Sequence, residues 1–209
     1  MSINFYLMCA IFAIGAYLLG GVNGAILLSK TVYGQDIREL GSGNPGFSNF
    51  KRVYGMNAVS AIVMVSDIIK AAIPVFIAYL VFGAMFGMPQ FGAAFTGLFA
   101  MIGHCLPVWY NFKGGKAFLC GFGTIWFVDW RMALMAAAVF FIVLGLTRYM
   151  SAASCISSLS CPFALAFLGA ESAYVLVICA ISALLIIVRH KENIKRLAHG
   201  TESKFTLGK

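Results

Sequence analysis

The sequence predicts an all-α integral membrane protein of about seven transmembrane helices, with the N-terminus outside and the C-terminus cytoplasmic. Three observations carry that expectation. Of 209 residues, 61% are hydrophobic and only 11% charged, with a mean hydropathy of +0.91, whereas a soluble domain carries roughly 25% charged residues. The apolar residues fall in blocks close to the ~20 residues that cross a bilayer as a helix. The cations sort almost entirely to one side of those blocks.

The blocks define a single polytopic domain, 1–209, with spans at about 4–28, 57–82, 91–110, 116–129, 132–148, 151–169 and 172–189. No charged side chain precedes Lys30. That apolar run is too long for a cleavable signal and has no basic segment before it, so it reads as a retained span. The second span carries Asp67 and Lys70 at i,i+3, where charges are costly and are paired or functional by default; a buried structural pair is the expected reading. Residues 71–112 contain no Asp, Glu, Lys or Arg and are too long for one helix. Gly83 and the Gly87-Met88-Pro89 turn divide them into the second and third spans. The fourth span is short and must tilt, thin the bilayer or re-enter. The Asp129–Arg131 turn, the Thr147-Arg148-Tyr149-Met150-Ser151 turn and the turn at Glu171 delimit the rest.

Seven spans put every Lys and Arg except Lys70 and Arg131 on one face, from Lys30 and Arg38 through Lys204 and Lys209. The positive-inside rule makes that face cytoplasmic, with the polar loops toward the cytoplasm. The net charge of +8 also attracts anionic lipid. Nucleic-acid binding is excluded, because no soluble domain carries it. Six cysteines lie scattered in apolar stretches without a CxxC pair and read as buried free thiols. No metal cluster or nucleotide fingerprint is present, so no cofactor is expected.

Three polar islands interrupt the apolar chain, all on the basic face. The first is GSGNPGFSNFKR, 41–52. Its glycines permit backbone that turns successive N–H groups toward one anion, Ser42, Ser48 and Asn49 add neutral donors, and Arg52 can grip phosphate bidentately. It also suits a plain inter-helical loop, and it lacks the GK[ST] ending of a nucleotide P-loop. The second is KGGK, 113–116, two lysines around a diglycine, preceded by Gly103-His104-Cys105-Leu106-Pro107. The third is His190-Lys191-Glu192-Asn193-Ile194-Lys195-Arg196-Leu197, followed by Gly200-Thr201-Glu202. At helical spacing His190, Asn193 and Leu197 share a face. An amphipathic tail on anionic lipid accounts for Ile194 and Leu197, but gives no reason for His190 or Asn193.

Together these strings resemble the bacterial acyl-phosphate:glycerol-3-phosphate acyltransferase family, PlsY. Residues 41–52 match its GSGNxGxTNxxR pattern except at Ser48. Gly103 to Lys116 matches GHxxPxxxxFKGGKG, Thr147 to Ser151 matches TRYxS, and His190 to Glu202 matches HxENIxRLxxGxE. Asp67 to Ala71 matches DxxKG save for its glycine. The resemblance covers nearly the whole chain in order. It implies a seven-span enzyme of the bacterial inner membrane that moves a fatty acyl group from acyl phosphate to the 1-hydroxyl of glycerol 3-phosphate in phospholipid synthesis, with no cofactor. It implies that His190, Asn193 and Ser151 are catalytic, and that Ser42, Gly43, Asn44, Asn49, Arg52 and His104 bind substrate. Ser42, Arg52, Ser151, His190 and Asn193 would surround the glycerol phosphate, while Lys113, Gly114, Gly115 and Lys116 would hold the acyl-phosphate headgroup, with N–H groups near the diglycine facing the oxyanion. Its partners would be the two substrates and membrane lipid.

The chain departs from the family pattern at Ala71 and Ala117, which replace glycines, and at Phe47 and Leu106. The first span ends GGVNGA in place of SIPxG. Soluble-face acyltransferases with a His-x4-Asp pair are excluded, since none of His104, His190 or His199 has an aspartate five positions on. Two other readings use the same features: a transporter for a phosphorylated solute, resting on Asp67, Lys70 and the basic mouth, and a non-catalytic relative that binds a lipid or a partner. A transporter would show repeated halves, and no repeated string is present.

Overall fold

The computed structural model describes residues 3–206. Among them are ten α-helices and no strand: α1 (Ile3–Gly21), α2 (Gly24–Tyr33), α3 (Phe47–Tyr54), α4 (Ala58–Phe86), α5 (Pro89–Cys105), α6 (Phe118–Val128), α7 (Trp130–Thr147), α8 (Met150–Leu168), α9 (Ala173–Arg189) and α10 (Lys191–Ala198). The expected position of Lys209 lies outside the described residues.

Local chemistry sets most boundaries. The Asn57 side chain accepts from Ser60 N at 2.9 Å and starts α4, and Asp129 accepts from Arg131 N at 2.8 Å and starts α7. Both caps satisfy amides that have no partner within the helix. Gly87 ends α4 in a left-handed conformation, and Pro89 then opens α5, where a missing N–H costs nothing.

The all-helical, membrane-integral architecture is as expected, with two local differences. The helix expected over 4–28 runs on to Tyr33 and is broken at Val22–Asn23. Carbonyls near the break find donors from elsewhere: Lys70 Nζ donates to Val22 O at 2.7 Å and Trp109 Nε1 to Leu18 O at 3.0 Å. Asn23, 1% exposed, caps α2 by accepting from Ile26 N and donates to Pro45 O at 3.0 Å. The second difference lies in the first island, whose latter half is the helix α3 and not loop.

Helix α5 runs through the middle, packing against α1, α4, α6 and α9. Small residues make this possible: a Cβ on Gly20 would strike the Ala100 backbone, and one on Gly92 would meet Phe82 Cβ at 2.6 Å. Glycine at such crossings lets helix backbones approach closely in lipid, where no hydrophobic drive pairs helices. Apolar side chains such as Phe141, Phe163 and Phe167 point outward, the inversion expected when lipid is the solvent.

Five helices, counting α1 with α2 as one, are long and apolar enough to cross a membrane; α9 and α10 form a pair bent by 58°. Helix α6 has 11 residues, about 16 Å at 1.5 Å per residue, roughly half the hydrocarbon thickness. At one end of the bundle the turns before α5 and α9 are tied by Gln90 and Glu171, each backbone N–H donating to the other's side chain at 2.7 and 2.8 Å. The three islands meet at the other end.

Candidate functional site

A cavity of about 670 Å³ lies where the islands converge. Nine residues singled out from sequence line it: Ser42, Asn44, Asn49, Arg52, His104, Lys116, Ser151, His190 and Asn193. Gly43, Lys113, Gly114 and Gly115 do not. Lys113 is exposed, and the two glycines are buried behind the wall. The opposite flank is apolar, made by Phe118, Leu119 and Phe122 of α6 with Ala137, Phe140 and Leu144 of α7.

The first island uses part of its backbone donors internally. Gly41 and Gly43 take left-handed φ values of 58° and 70°, which glycine alone adopts without cost. Ser42 N–H donates to Asn49 Oδ1 at 2.8 Å, Gly43 N–H to Leu40 O at 2.9 Å and Gly46 N–H to Asn44 O at 3.0 Å. These amides are closed by the island's own turns, while the N–H groups of Asn44, Phe47 and Ser48 take no partner among the described residues. Asn49, 2% exposed, also donates through Nδ2 to Leu40 O at 2.9 Å and so organises the loop. The island lines the cavity with Ser42, Asn44, Ser48 and Arg52 among others.

The charge pair of α4 sits at the wall, with Asp67 on the cavity and Lys70 behind it. Lys70 Nζ lies 2.8 Å from Asp67 Oδ1 and 2.8 Å from His104 Nδ1. An ammonium only donates, so His104 Nδ1 accepts and its proton sits on Nε2. Asp67 and His104 are 2% and 4% exposed and both border the cavity.

The third island holds the most polar connections. His190 caps α9, and its Nδ1–H donates to Ile186 O at 2.8 Å. Burial first, then the nearby Lys116 and Arg189 cations, push its pKa down to about 4 against a tendency of the Ile186 bond to raise it. The ring is therefore neutral near pH 7, with Nε2 free to accept. Asn193 is used at both ends: Lys116 Nζ donates to its Oδ1, and its Nδ2 donates to Glu202 Oε1 at 2.6 Å. Ser151 Oγ donates to the same Glu202 oxygen at 2.8 Å, and Arg196 Nε to Oε2 at 2.7 Å. Burial works to raise the Glu202 pKa, but these donors outweigh it and hold the carboxyl below its usual value.

Glu202 was not among the expected site residues. The signal was the final glutamate of the third island. Its partners, separated by up to 51 positions, are not visible in a linear string. Beyond it, Phe205 N donates to Arg148 O at 2.6 Å, Lys51 Nζ bonds Thr206 O, and the Lys51 ammonium sits 3.9 Å from the Phe205 ring centre, a cation–π contact.

Ala117 lines the cavity just before α6, buried, with φ 61°. Its backbone is in the conformation that a glycine would take freely, which gives a physical reason for the glycine in the KGGKG pattern.

Fold and site together define a helical integral membrane protein with one cavity that is cationic at one end and apolar along its flank. Its sequence matches the family model described as glycerol-3-phosphate acyltransferase over residues 10–200. It is 35% identical over 204 residues to a glycerol-3-phosphate acyltransferase of Finegoldia magna, covering 98% of each chain. It is 38% identical over 192 residues to one from Geotalea daltonii, covering 92% of this chain and 95% of that one. Among solved structures it resembles PlsY (YgiH), an integral membrane glycerol 3-phosphate acyltransferase, in its glycerol 3-phosphate form, with a TM-score of 0.85 and 34% identity over 95% of this chain and 96% of that one. The lysophosphatidic acid form of PlsY gives 0.80 and 33%, with the same coverage. The chain belongs to the glycerol-3-phosphate acyltransferase family. Membership favours the acyltransferase reading over the transporter.

Proposed function

We propose that this protein transfers a fatty acyl group from acyl phosphate to the 1-hydroxyl of glycerol 3-phosphate, releasing inorganic phosphate. The observation that carries the reading is a single cavity with a cationic end for two phosphates and an apolar flank for an acyl chain. In that reading Arg52, Ser42 and Ser151 hold the glycerol phosphate, Lys116 holds the acyl-phosphate headgroup, and the chain of the donor lies along Phe118, Phe122 and Phe140. Both substrates are anions, and the fixed cations offset their repulsion.

Acyl phosphate is a mixed anhydride with a good leaving group, so little activation is required. The glycerol oxygen attacks the acyl carbon, the bond from that carbon to the phosphate oxygen breaks, and phosphate leaves with the bonding pair. The hydroxyl proton has two destinations. His190 Nε2 is positioned as an acceptor, but a pKa of about 4 makes it a weak base. A phosphate dianion, with a second pKa near ~6, is the stronger one. His190 therefore orients the hydroxyl and the departing phosphate takes the proton. Asn193, fixed between Lys116 and Glu202, keeps the cation in place.

We further propose seven spans in the bacterial inner membrane, with α6 as the short fourth one, the N-terminus outside and the site facing the cytoplasm. The clustering of the basic islands at one end of the bundle supports this orientation. The decisive assay uses purified protein in detergent with palmitoyl phosphate and glycerol 3-phosphate, following phosphate release and 1-acyl product. Turnover is expected in the natural chain, with a loss on the order of 100-fold in Arg52→Ala and in Asn193→Ala. Glycerol-phosphate binding without turnover in the natural chain would refute the reaction.

A further inference from the structure

We infer that Arg189 is a positioning residue for this reaction, one that holds the diglycine loop in register with the end of α9. The inference rests on the proposed acyl transfer and adds a residue that touches neither substrate. Arg189 closes α9 and is half-buried. Among the described residues its partners are two successive carbonyls: Nη2–H donates to Gly114 O at 3.0 Å and Nε–H donates to Gly115 O at 3.1 Å. A planar fork meets two successive carbonyls with two separate nitrogens at a fixed spacing, which a single ammonium nitrogen does not reproduce.

Peptide geometry turns this grip into a consequence for the cavity. In a planar trans peptide the N–H points opposite to the carbonyl. With Gly114 O held by Arg189, the Gly115 N–H faces the other way and donates to His104 O at 3.0 Å. With Gly115 O also held, the Lys116 N–H is turned away from Arg189 and takes no partner among the described residues. The loop has no lateral slack. A Cβ at Gly114 would meet Pro107 Cδ at 2.5 Å and Cys105 O at 2.9 Å, and one at Gly115 would overlap the His104 ring. The loop is thus clamped between the end of α5 and one guanidinium. Lys116 follows directly after the clamp and His190 directly after Arg189, so one side chain sets where the cation stands relative to the imidazole.

The test compares the natural chain with Arg189→Lys and Arg189→Gln, purified intact in lipid nanodiscs, varying each substrate separately. The expected result is a fall in kcat of roughly 10- to 100-fold, the scale of ångström-sized misplacement. KM for palmitoyl phosphate should rise, KM for glycerol 3-phosphate should change little, and lysine should fail to rescue. Hydrogen exchange supplies an independent readout: the Gly115 amide should be protected in the natural chain and exchange faster in Arg189→Lys. Natural-chain kinetics in Arg189→Lys would overturn the inference, as would a parallel rise of both KM values accompanying a fall in melting temperature. Rapid Gly115 exchange in the natural chain would overturn it without any variant. An inactive natural chain with a protected Gly115 would instead refute the reaction and leave the clamp standing.

Discussion

At Ala117 the chain carries a methyl group where the backbone favours none. The left-handed conformation costs an L-residue on the order of 1 kcal/mol, so Ala117→Gly is expected to stabilise the protein by about that amount, read as a higher midpoint of thermal unfolding in detergent. His190 makes a second residue-level prediction. Its folded pKa of about 4 lies below the ordinary 6.5, so as pH falls the unfolded chain takes the proton first. The stability associated with its neutral form is complete above pH ~6.5 and is lost as pH drops toward 4. Imidazole NMR should find a titration midpoint near 4, and melting temperatures at pH 7 and pH 5 should converge in His190→Gln. A midpoint near 6.5 would contradict the buried, neutral ring.

At the scale of elements, the break between α1 and α2 is where the first helix joins the site. Lys70 closes it by donating to Val22 O while pairing with Asp67 and His104. Removing one member of a buried ion pair costs roughly 3–5 kcal/mol, because the other charge is left uncompensated. Lys70→Met should therefore destabilise strongly, and Lys70→Met with Asp67→Asn should recover part of the loss; chemical denaturation of the natural chain and these two variants checks this. The sequence showed Asp67 and Lys70 as a costly pair at i,i+3, but gave no sign that the third corner would be His104 or that the carbonyl of Val22 would complete the set. Helix boundaries were legible because they rest on local rules, as at Asn57, Asp129 and Pro89. Helix α3 was missed because the turn chemistry of Gly41 to Gly46 hid the short amphipathic run that follows.

For the whole molecule, charge sorting and polar islands made the class and the residues of the cavity readable, since both follow from which side chains tolerate lipid. The direction in which backbone donors point was not readable. Part of the nest expected in the island 41–52 is closed by its own turns, and the diglycine lies behind the wall because of its contacts with the end of a distant helix. The proposed topology yields a direct prediction. In a background without the native cysteines, Ser42→Cys and Lys191→Cys should react with an impermeant thiol reagent only from the cytoplasmic side, and Glu171→Cys only from outside. Labelling of the first two from opposite compartments would end the single-site picture.

The carboxylate that restrains Ser151 and Asn193 comes from position 202, after the last membrane helix. Without it the hydroxyl of Ser151 and the amide of Asn193 lose the acceptor they share. A polypeptide shortened to end at Gly200 should therefore turn over more slowly while keeping its helix content, as kinetics and circular dichroism on the truncated protein would read.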